Sequence, residues 1–413
     1  MDFLRRLYNI LFSSPATKVE TPIRFGLLGA SKIAPNAIIG PAKTHPEVRI
    51  VGVAARDAER ARVYARRYGI ERVFGGYQEL IDDPDIDAVY IPLPNGLHYE
   101  WALKALKAGK HVLLEKPSTS NATEANSLFR HEVLQQAKPP VILEAFHVLF
   151  HPAWQTFLSC LDPKNIVSAY SIFHVPRGIL PNSDIRFQYD LSGGTLMDLG
   201  TYKVLDLRQI FGTEPEECLE ATPRMMPKGY DQKCDHAMTA KWRFPNGGVG
   251  TIDCDLSARG AAGLPKFTMP LCKVVHKELV IEDAGLGHAE GREHVMVKTV
   301  TILNPMFPTF WHRIDIEEQH TIRTIKDKKI VRTWTHKEHK KAYTWEEGNG
   351  GPRSGEKSWS TYRHQLEQFV NRVKGREGSG CWMSGEDSIK QMEMVDSAYK
   401  KAGLPLRPTS TYH

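Results

Sequence analysis

Lys116 stands in a Glu115-Lys116-Pro117 corner directly after the apolar run His111-Val112-Leu113-Leu114. A lysine fixed by a following proline presents an ammonium that can hydrogen-bond a reacting oxygen and stabilise negative charge that develops on it. Further on, Gly193-Gly194-Thr195-Leu196-Met197-Asp198-Leu199-Gly200-Thr201-Tyr202 leads from a turn into a helix. Asp198 and Tyr202 are four residues apart and share one helix face. A tyrosine beside a lysine can act as general acid/base, because the ammonium favours the phenolate and lowers the phenol pKa. Tyr202 is therefore the candidate proton-transfer residue, Lys116 its electrostatic partner, and Asp198 an orienter of substrate or of Tyr202. Ordinary structural roles compete: Lys116 pairing with Glu115, or Tyr202 as a core aromatic.

A second chemical feature lies near the start. Ile23–Leu28 reads as an apolar strand, and Gly29-Ala30-Ser31-Lys32-Ile33-Ala34 as a tight turn entering a helix. The pattern G-x-S-x-x-A is a variant of the dinucleotide fingerprint G-x-G-x-x-G/A, with the middle glycine replaced by serine. Such a turn offers free backbone N–H groups to a pyrophosphate at a helix N-terminus.

The elements that must position these residues alternate. After the first helix, Ala34 to about Lys43, strand Val48–Ala55 leads to Arg56 and then Asp57, a helix N-cap candidate. Strand Ala88–Ile91 precedes Pro92-Leu93-Pro94-Asn95-Gly96-Leu97-His98 and helix Tyr99–Ala108. Strand His111–Leu114, a helix from near Asn121 and strand Val141–Ala145 follow. Strand–helix alternation predicts a parallel, doubly wound sheet with ligand at the carboxyl ends of its strands, where Gly29, Arg56, Asn95, His98 and Lys116 all fall. At the tip of the second strand an acidic residue would hold ribose hydroxyls and an arginine a 2′-phosphate, so Arg56 favours NADP over NAD.

Beyond residue 150 the texture changes. Val167–Phe173, His236–Phe244, Gly248–Leu256, Lys298–Leu303 and His312–Glu318 are β-rich, with a hairpin turn at Phe244-Pro245-Asn246-Gly247-Gly248. They predict an open, mainly antiparallel sheet, punctuated by helices at Asp198–Ile210, Ser358–Lys374 and Gly385–Ala402. Lys326–Pro352 reads as a loop or hairpin excursion. The expected division is an N-terminal extension at 1–20, a Rossmann domain at 21–150 and an α/β domain at 151–413, the last given substrate-binding and oligomerisation roles only by a family resemblance.

Gly29–Ala34, Pro94-Asn95-Gly96-Leu97-His98 and Glu115-Lys116-Pro117 together resemble the glucose–fructose oxidoreductase / inositol dehydrogenase / MocA family of nicotinamide-dependent oxidoreductases. Within it, the chain is similar to the branch of dimeric dihydrodiol dehydrogenase and NADP-dependent D-xylose dehydrogenase, from about Ile23 to about Pro405. Much of the family has Asp and His in a D-x-G-x-H pattern, where this chain carries Asp198 and Tyr202, as that branch does. The resemblance implies hydride transfer between nicotinamide and a carbinol carbon of a sugar, polyol or dihydrodiol. It leaves open a tightly bound cofactor driving elimination, hydrolysis or carbon–carbon cleavage without net redox. It implies cofactor contacts from Gly29, Ser31, Lys32, Ile33, Arg56, Pro94, Asn95, His98, Glu115 and Lys116. It also implies catalytic roles for Lys116, Tyr202 and Asp198, and a homo-oligomer. Substrate contacts are expected from His147 and Arg186. His147 and His151 have metal-ligand spacing, but no companion carboxylate motif supports a metal.

The 413 residues carry a net charge of +6, with 41% hydrophobic and 25% charged residues, as in an ordinary globular protein. Scattered basic residues suit an anionic cofactor and give no case for nucleic acid. Six cysteines without C-x-x-C pairing predict reduced thiols and a cytoplasmic location. No apolar run is long enough for a transmembrane segment. Met1–Phe12 is apolar with two arginines. It reads either as an extension packing on its own or a neighbouring subunit, or as a targeting or membrane-touching helix; Ser13–Thr21 reads as a linker.

Overall fold

The computed structural model describes residues 2–281, 291–348, 350–351 and 353–412. A first helix, α1 (Asp2–Leu11), precedes a sheet built from β1 (Ile23–Leu28), β2 (Val48–Ala54), β3 (Arg72–Phe74), β4 (Ala88–Ile91), β5 (His111–Leu114) and β6 (Ile142–Glu144). All its pairs are parallel, in the order β3-β2-β1-β4-β5-β6. The chain reverses winding between β1 and β4, which opens a crevice at their carboxyl ends. Helices α2 (Gly40–Thr44), α3 (Ala58–Tyr68), α4 (Tyr77–Asp82), α5 (His98–Lys107) and α6 (Ala122–Phe129) make the connections. Because they cover both faces, β4 is buried throughout and reads as an unbroken apolar run. Asp57 caps α3 as expected, accepting from the N–H groups of Glu59 and Arg60. The first helix differs from expectation: Pro35–Ile39 is a π turn, and only Gly40–Thr44 is α-helical.

After α7 (Pro152–Ser159), the second sheet comprises β7 (Ile166–Pro176), β8 (Glu217–Met225), β9 (Asp235–Arg243), β10 (Val249–Ala258), β11 (Leu271–His276), β12 (Leu279–Val280), β13 (Arg292–Leu303), β14 (Arg313–Thr324) and β15 (Ile330–Lys340). Their order is β15-β14-β13-β11-β7-β10-β9-β8, with β12 beside β13. Every pair is antiparallel except β7 with β10. Of the two readings of Lys326–Pro352 the structure shows the hairpin: the segment contains β15, paired along its length with β14, while Asn349 and Pro352 lie outside the described residues. One face of the sheet receives α8 (Thr201–Phe211). There Asp206 accepts from the Ser171 hydroxyl at 2.7 Å and pairs with buried Lys203 at 2.5 Å. Helices α9 (Thr361–Val373) and α10 (Gly385–Lys401) return toward the first sheet, where Phe369 meets Phe25 with ring centroids 5.6 Å apart.

Both chain ends fasten the two halves. In α1, Arg6 donates to the carbonyls of Thr309 and Phe310, each at 3.0 Å, and lies 3.7 Å over the Tyr343 ring. The following linker runs along the first sheet's domain, where Lys18 donates to the carbonyls of Ala42 at 2.6 Å and His45 at 2.8 Å. The extension thus packs on its own chain. At the other end, Asn121 at the start of α6 donates to the Arg407 carbonyl and the Thr409 hydroxyl, each at 2.9 Å.

Candidate active site

The corner after β5 and the turn before α8 face each other across the two sheets. The Lys116 ammonium donates to both the backbone carbonyl and the carboxylate of Asp198, each at 2.9 Å. An ammonium has three N–H groups, so one donor remains for a bound oxygen. Lys116 Nζ also lies 4.8 Å from the centroid of the Tyr202 ring. The three residues singled out as catalytic candidates therefore converge, though 82 positions separate Lys116 from Asp198.

Arg186 closes the cluster, pairing with Asp184 at 2.8 Å and with the second carboxylate oxygen of Asp198 at 3.2 Å. Burial, the largest influence on Asp198, pushes its carboxyl pKa up. Lys116 and Arg186 outweigh burial and hold it below the ordinary carboxylate range. Glu115 turns inward to accept from the Tyr90 hydroxyl at 2.6 Å; its burial wins, and its pKa is raised.

One electrostatic expectation is reversed. Tyr202 is not a lowered phenol: burial pushes its pKa well above the ordinary value, and Tyr362, Glu115 and Asp198 add to the rise. The physical reason is that the Lys116 ammonium spends its short contacts on Asp198 and meets the face of the Tyr202 ring. Tyr202 is thus a phenol that holds its proton. Behind it stands His147, buried, with its Nδ1 2.8 Å from the Thr361 hydroxyl and its ring 4.0 Å from that of Tyr362. Burial, followed by the charge of Lys116, lowers the His147 pKa to about 3, so the ring is neutral.

The helix turn Leu196–Gly200 is a π turn, unlike the expected continuous helix. Its last residue must be small, because a Cβ on Gly200 would overlap Leu196 and crowd the Cys254 sulfur on β10. Before it, Gly194 has φ +127°, and a Cβ there would overlap Arg407, Asp235 and Tyr399.

The glycine turn suits a dinucleotide. Gly29 has φ +114°, a conformation few other residues adopt. Ser31 accepts from the Ala34 N–H at 3.2 Å, a bond that closes the turn ahead of the helix. The N–H groups of Ser31, Lys32 and Ile33 bond to no other described residue and so remain for a phosphate group. Arg56 is exposed at the tip of β2. Arg60, which the sequence reading missed, reaches back from α3 to the Ala30 carbonyl at 2.8 Å.

Other expected contacts are placed differently. His98 is fully buried, its two ring nitrogens each 2.8 Å from a carbonyl, Pro117 on one side and Leu93 on the other. Both carbonyls favour the cation, yet burial dominates and draws its pKa down to about 4. It cannot touch a cofactor; it ties the Pro94 loop to the Lys116 corner. Glu115 likewise faces inward. Pro94 and Asn95 border the crevice, and Asn95 donates to the Ser192 carbonyl at 3.0 Å. His147 and His151 do not converge: His151 accepts from the Ala153 N–H at the start of α7. Among the described residues no group of three or more His, Cys, Asp or Glu side chains could hold a metal, and no helix is long and apolar enough to cross a membrane.

A 3-2-1-4-5-6 parallel sheet with a positive-φ glycine turn after its first strand is the architecture of a dinucleotide-binding domain. Comparison with known proteins agrees. Residues 23–140 match the "Oxidoreductase family, NAD-binding Rossmann fold", and residues 163–270 the "GFO/IDH/MocA C-terminal domain". The chain is 37% identical to D-xylose 1-dehydrogenase (NADP(+)) 2 of Haloferax volcanii, over 55% of this chain and 68% of that one. It is 36% identical to dTDP-3,4-didehydro-2,6-dideoxy-alpha-D-glucose 3-reductase of Actinomadura kijaniata, over 47% of this chain and 58% of that one, less than two thirds of the relative's length. A crystal structure of a 3-ketoreductase from Actinomadura kijaniata with NADP and TDP-benzene superposes with a TM-score of 0.65. At 23% identity it covers 92% of this chain and 98% of that one, and establishes the fold. The chain belongs to the GFO/IDH/MocA family of oxidoreductases.

Proposed function

We propose that this protein is an NADP-preferring dehydrogenase that moves hydride between nicotinamide and a carbinol carbon of an uncharged sugar, polyol or dihydrodiol, in the manner of a D-xylose 1-dehydrogenase. The observation that carries the reading is the Lys116–Asp198 pair beside the Tyr202 phenol. Gly29, Ser31, Lys32 and Ile33 would hold the pyrophosphate, and Arg56 with Arg60 the 2′-phosphate, with Pro94 and Asn95 bordering the cofactor. When bound, the nicotinamide supplies or accepts the hydride. The remaining N–H of Lys116 holds the reacting oxygen and stabilises its negative charge. Asp198 keeps that ammonium aimed, and Arg186 keeps Asp198 aimed. Tyr202, protonated by virtue of burial, gives its proton to the oxygen during reduction; oxidation requires its phenolate.

The relatives act on different substrate classes by name, a free sugar and a nucleotide sugar. Charge favours the first. Lys116 and Arg186 are both matched, by Asp198 and Asp184, so no unpaired cation in this cluster awaits a phosphate or carboxylate. We further propose a homo-oligomer formed through the outer face of the second sheet, and a cytoplasmic location, supported by six free cysteines.

Titration of the purified protein with NADPH and NADH, followed by turnover with D-xylose, other aldoses and dihydrodiols, tests the reading. NADPH binding that weakens in Arg56→Asp, with turnover of a neutral substrate, is the expected outcome. NADH binding that Arg56→Asp leaves unchanged would remove the cofactor preference. Faster turnover of a sugar phosphate than of the free sugar would overturn the charge assignment.

A further inference from the structure

One buried residue touches both the segment after Lys116 and the turn before Asp198 while lying in neither. Arg407, in the tail after α10, is buried to 2% exposure. Its guanidinium reaches the turn that launches Asp198: Nε donates to the Gly193 carbonyl at 2.5 Å, and Nη2 donates to Asp235 Oδ1 at 2.7 Å and to the Tyr399 hydroxyl at 2.8 Å. Asp235 continues the link, since its other oxygen accepts from the Leu196 N–H at 2.7 Å. From there the Asp198 N–H donates to the Gly194 carbonyl at 3.0 Å. The absence of a side chain at Gly194 is what admits the guanidinium, the carboxylate and the Tyr399 hydroxyl to this turn.

The backbone of the same residue holds the other half of the site. The Arg407 carbonyl accepts from Asn121 Nδ2 at 2.9 Å, and Asn121 ends the segment Pro117–Ser120 that follows Lys116. Beyond it, Ser410 donates to Glu124, whose other oxygen accepts from the Ser120 N–H at 2.8 Å. One tail residue therefore grips the Lys116 segment by its main chain and the Asp198 segment by its side chain.

We infer that Arg407 is a positioning residue that holds Lys116 and Asp198 in register across the two domains. The inference rests on the dehydrogenase reading only for its effect on turnover. A fork of donors satisfies a carbonyl, a carboxylate and a hydroxyl together, and a lysine at this place could reach only some of them.

The test uses the full chain with saturating NADPH, comparing wild type, Arg407→Met and Arg407→Lys. Amide hydrogen exchange of residues 116–121 and 193–200 is expected to speed up by about tenfold or more in Arg407→Met, with residues 29–34 within about twofold of wild type. NADPH affinity should stay within about threefold while kcat falls by about tenfold or more, KM changing less, and Arg407→Lys should recover part of the loss. Exchange that rises evenly along the chain, or that stays at the wild-type rate in 193–200, overturns the inference. A wild-type protein that turns over no neutral substrate overturns the dehydrogenase reading instead, and the exchange measurement still decides on Arg407. If Arg407→Met does not fold, Tyr399→Phe, which removes one guanidinium acceptor, is judged by the same localised exchange.

Discussion

Two substitutions separate the roles of ammonium and phenol. Lys116→Met removes the donor to the reacting oxygen and leaves Asp198 paired with Arg186 alone; kcat should fall by about 100-fold or more, with NADPH affinity nearly unchanged. Tyr202→Phe should lower reduction by a similar factor at neutral and at moderately alkaline pH, because burial keeps the phenol protonated, and able to deliver its proton, across that range. In wild type, oxidation should keep rising with pH through the alkaline range, since burial holds the Tyr202 pKa well above its usual value. A plateau of oxidation at neutral pH would remove Tyr202 from the proton path. At this scale the sequence was informative where a local pattern carried the chemistry. Lys116 is marked by its proline corner, and Asp198 and Tyr202 by helical spacing after a double glycine. Arg407 carries no such mark, because its partners Gly193 and Asp235 lie 214 and 172 positions away. His98 was legible as present at a strand end and illegible as to direction: only the fold shows its ring turned into the core.

The elements also carry measurable consequences. Glu144 on β6 is fully buried, accepts from the Ser118 N–H at 2.8 Å, and has its pKa raised by burial to about 7. A carboxyl raised in the folded state favours folding fully below its unfolded pKa, near 4.5, and that contribution is lost as pH rises toward 7. Glu144→Gln should therefore gain melting temperature relative to wild type as pH rises from 4.5 to 8, measured by calorimetry. A difference that does not change with pH would show the carboxyl to be charged throughout. At α3, Asp57→Ala should cost about 1 kcal/mol by removing the cap. Although β3, β8, β11 and β12 went unread, β1, β2, β4, β5 and β6 were legible as apolar runs, and β7, β9, β10 and parts of β13 and β14 as β-rich segments. β15 was not, because it lies at a sheet edge and is exposed along nearly all its length, so no hydrophobic period marks it. The two π turns were illegible for another reason. At Leu196–Gly200 the turn packs against a neighbour from elsewhere in the sequence, Cys254 beside Gly200, which no local pattern announces.

Across the whole molecule, a set of buried histidines dominates the response to acid. Burial lowers the pKa of His147 and His364 to about 3, of His98, His236 and His312 to about 4, and of His151 well below its ordinary value. The unfolded chain protonates them from about pH 6.5 downward while the folded chain does not, so stability falls as pH drops below that value. Each of these rings shifts stability in that same direction, against the opposite trend of the raised carboxyls Glu115, Glu124, Glu144 and Asp396. Chemical denaturation at pH 7.5, 6 and 5 should show a steep decline; equal stability at 7.5 and 5 would mean that these rings are protonated in the native state. The sequence showed the histidines but not their burial, which for His147, His151, His312 and His364 depends on how α7, α9 and the Thr309 loop close around one another. The exposed border at β15 has a consequence for handling in solution. An open strand edge can recruit the same edge of another molecule, and here Arg332, Lys337 and Lys340 outnumber the one acid of the strand, Glu338, so the edge carries a net positive charge that opposes such pairing. That guard is electrostatic, so salt weakens it: sedimentation velocity should show larger assemblies at about 0.5 M salt than at about 0.02 M. Concentrated stocks of this protein are therefore expected to stay clear in dilute buffer and to cloud in brine.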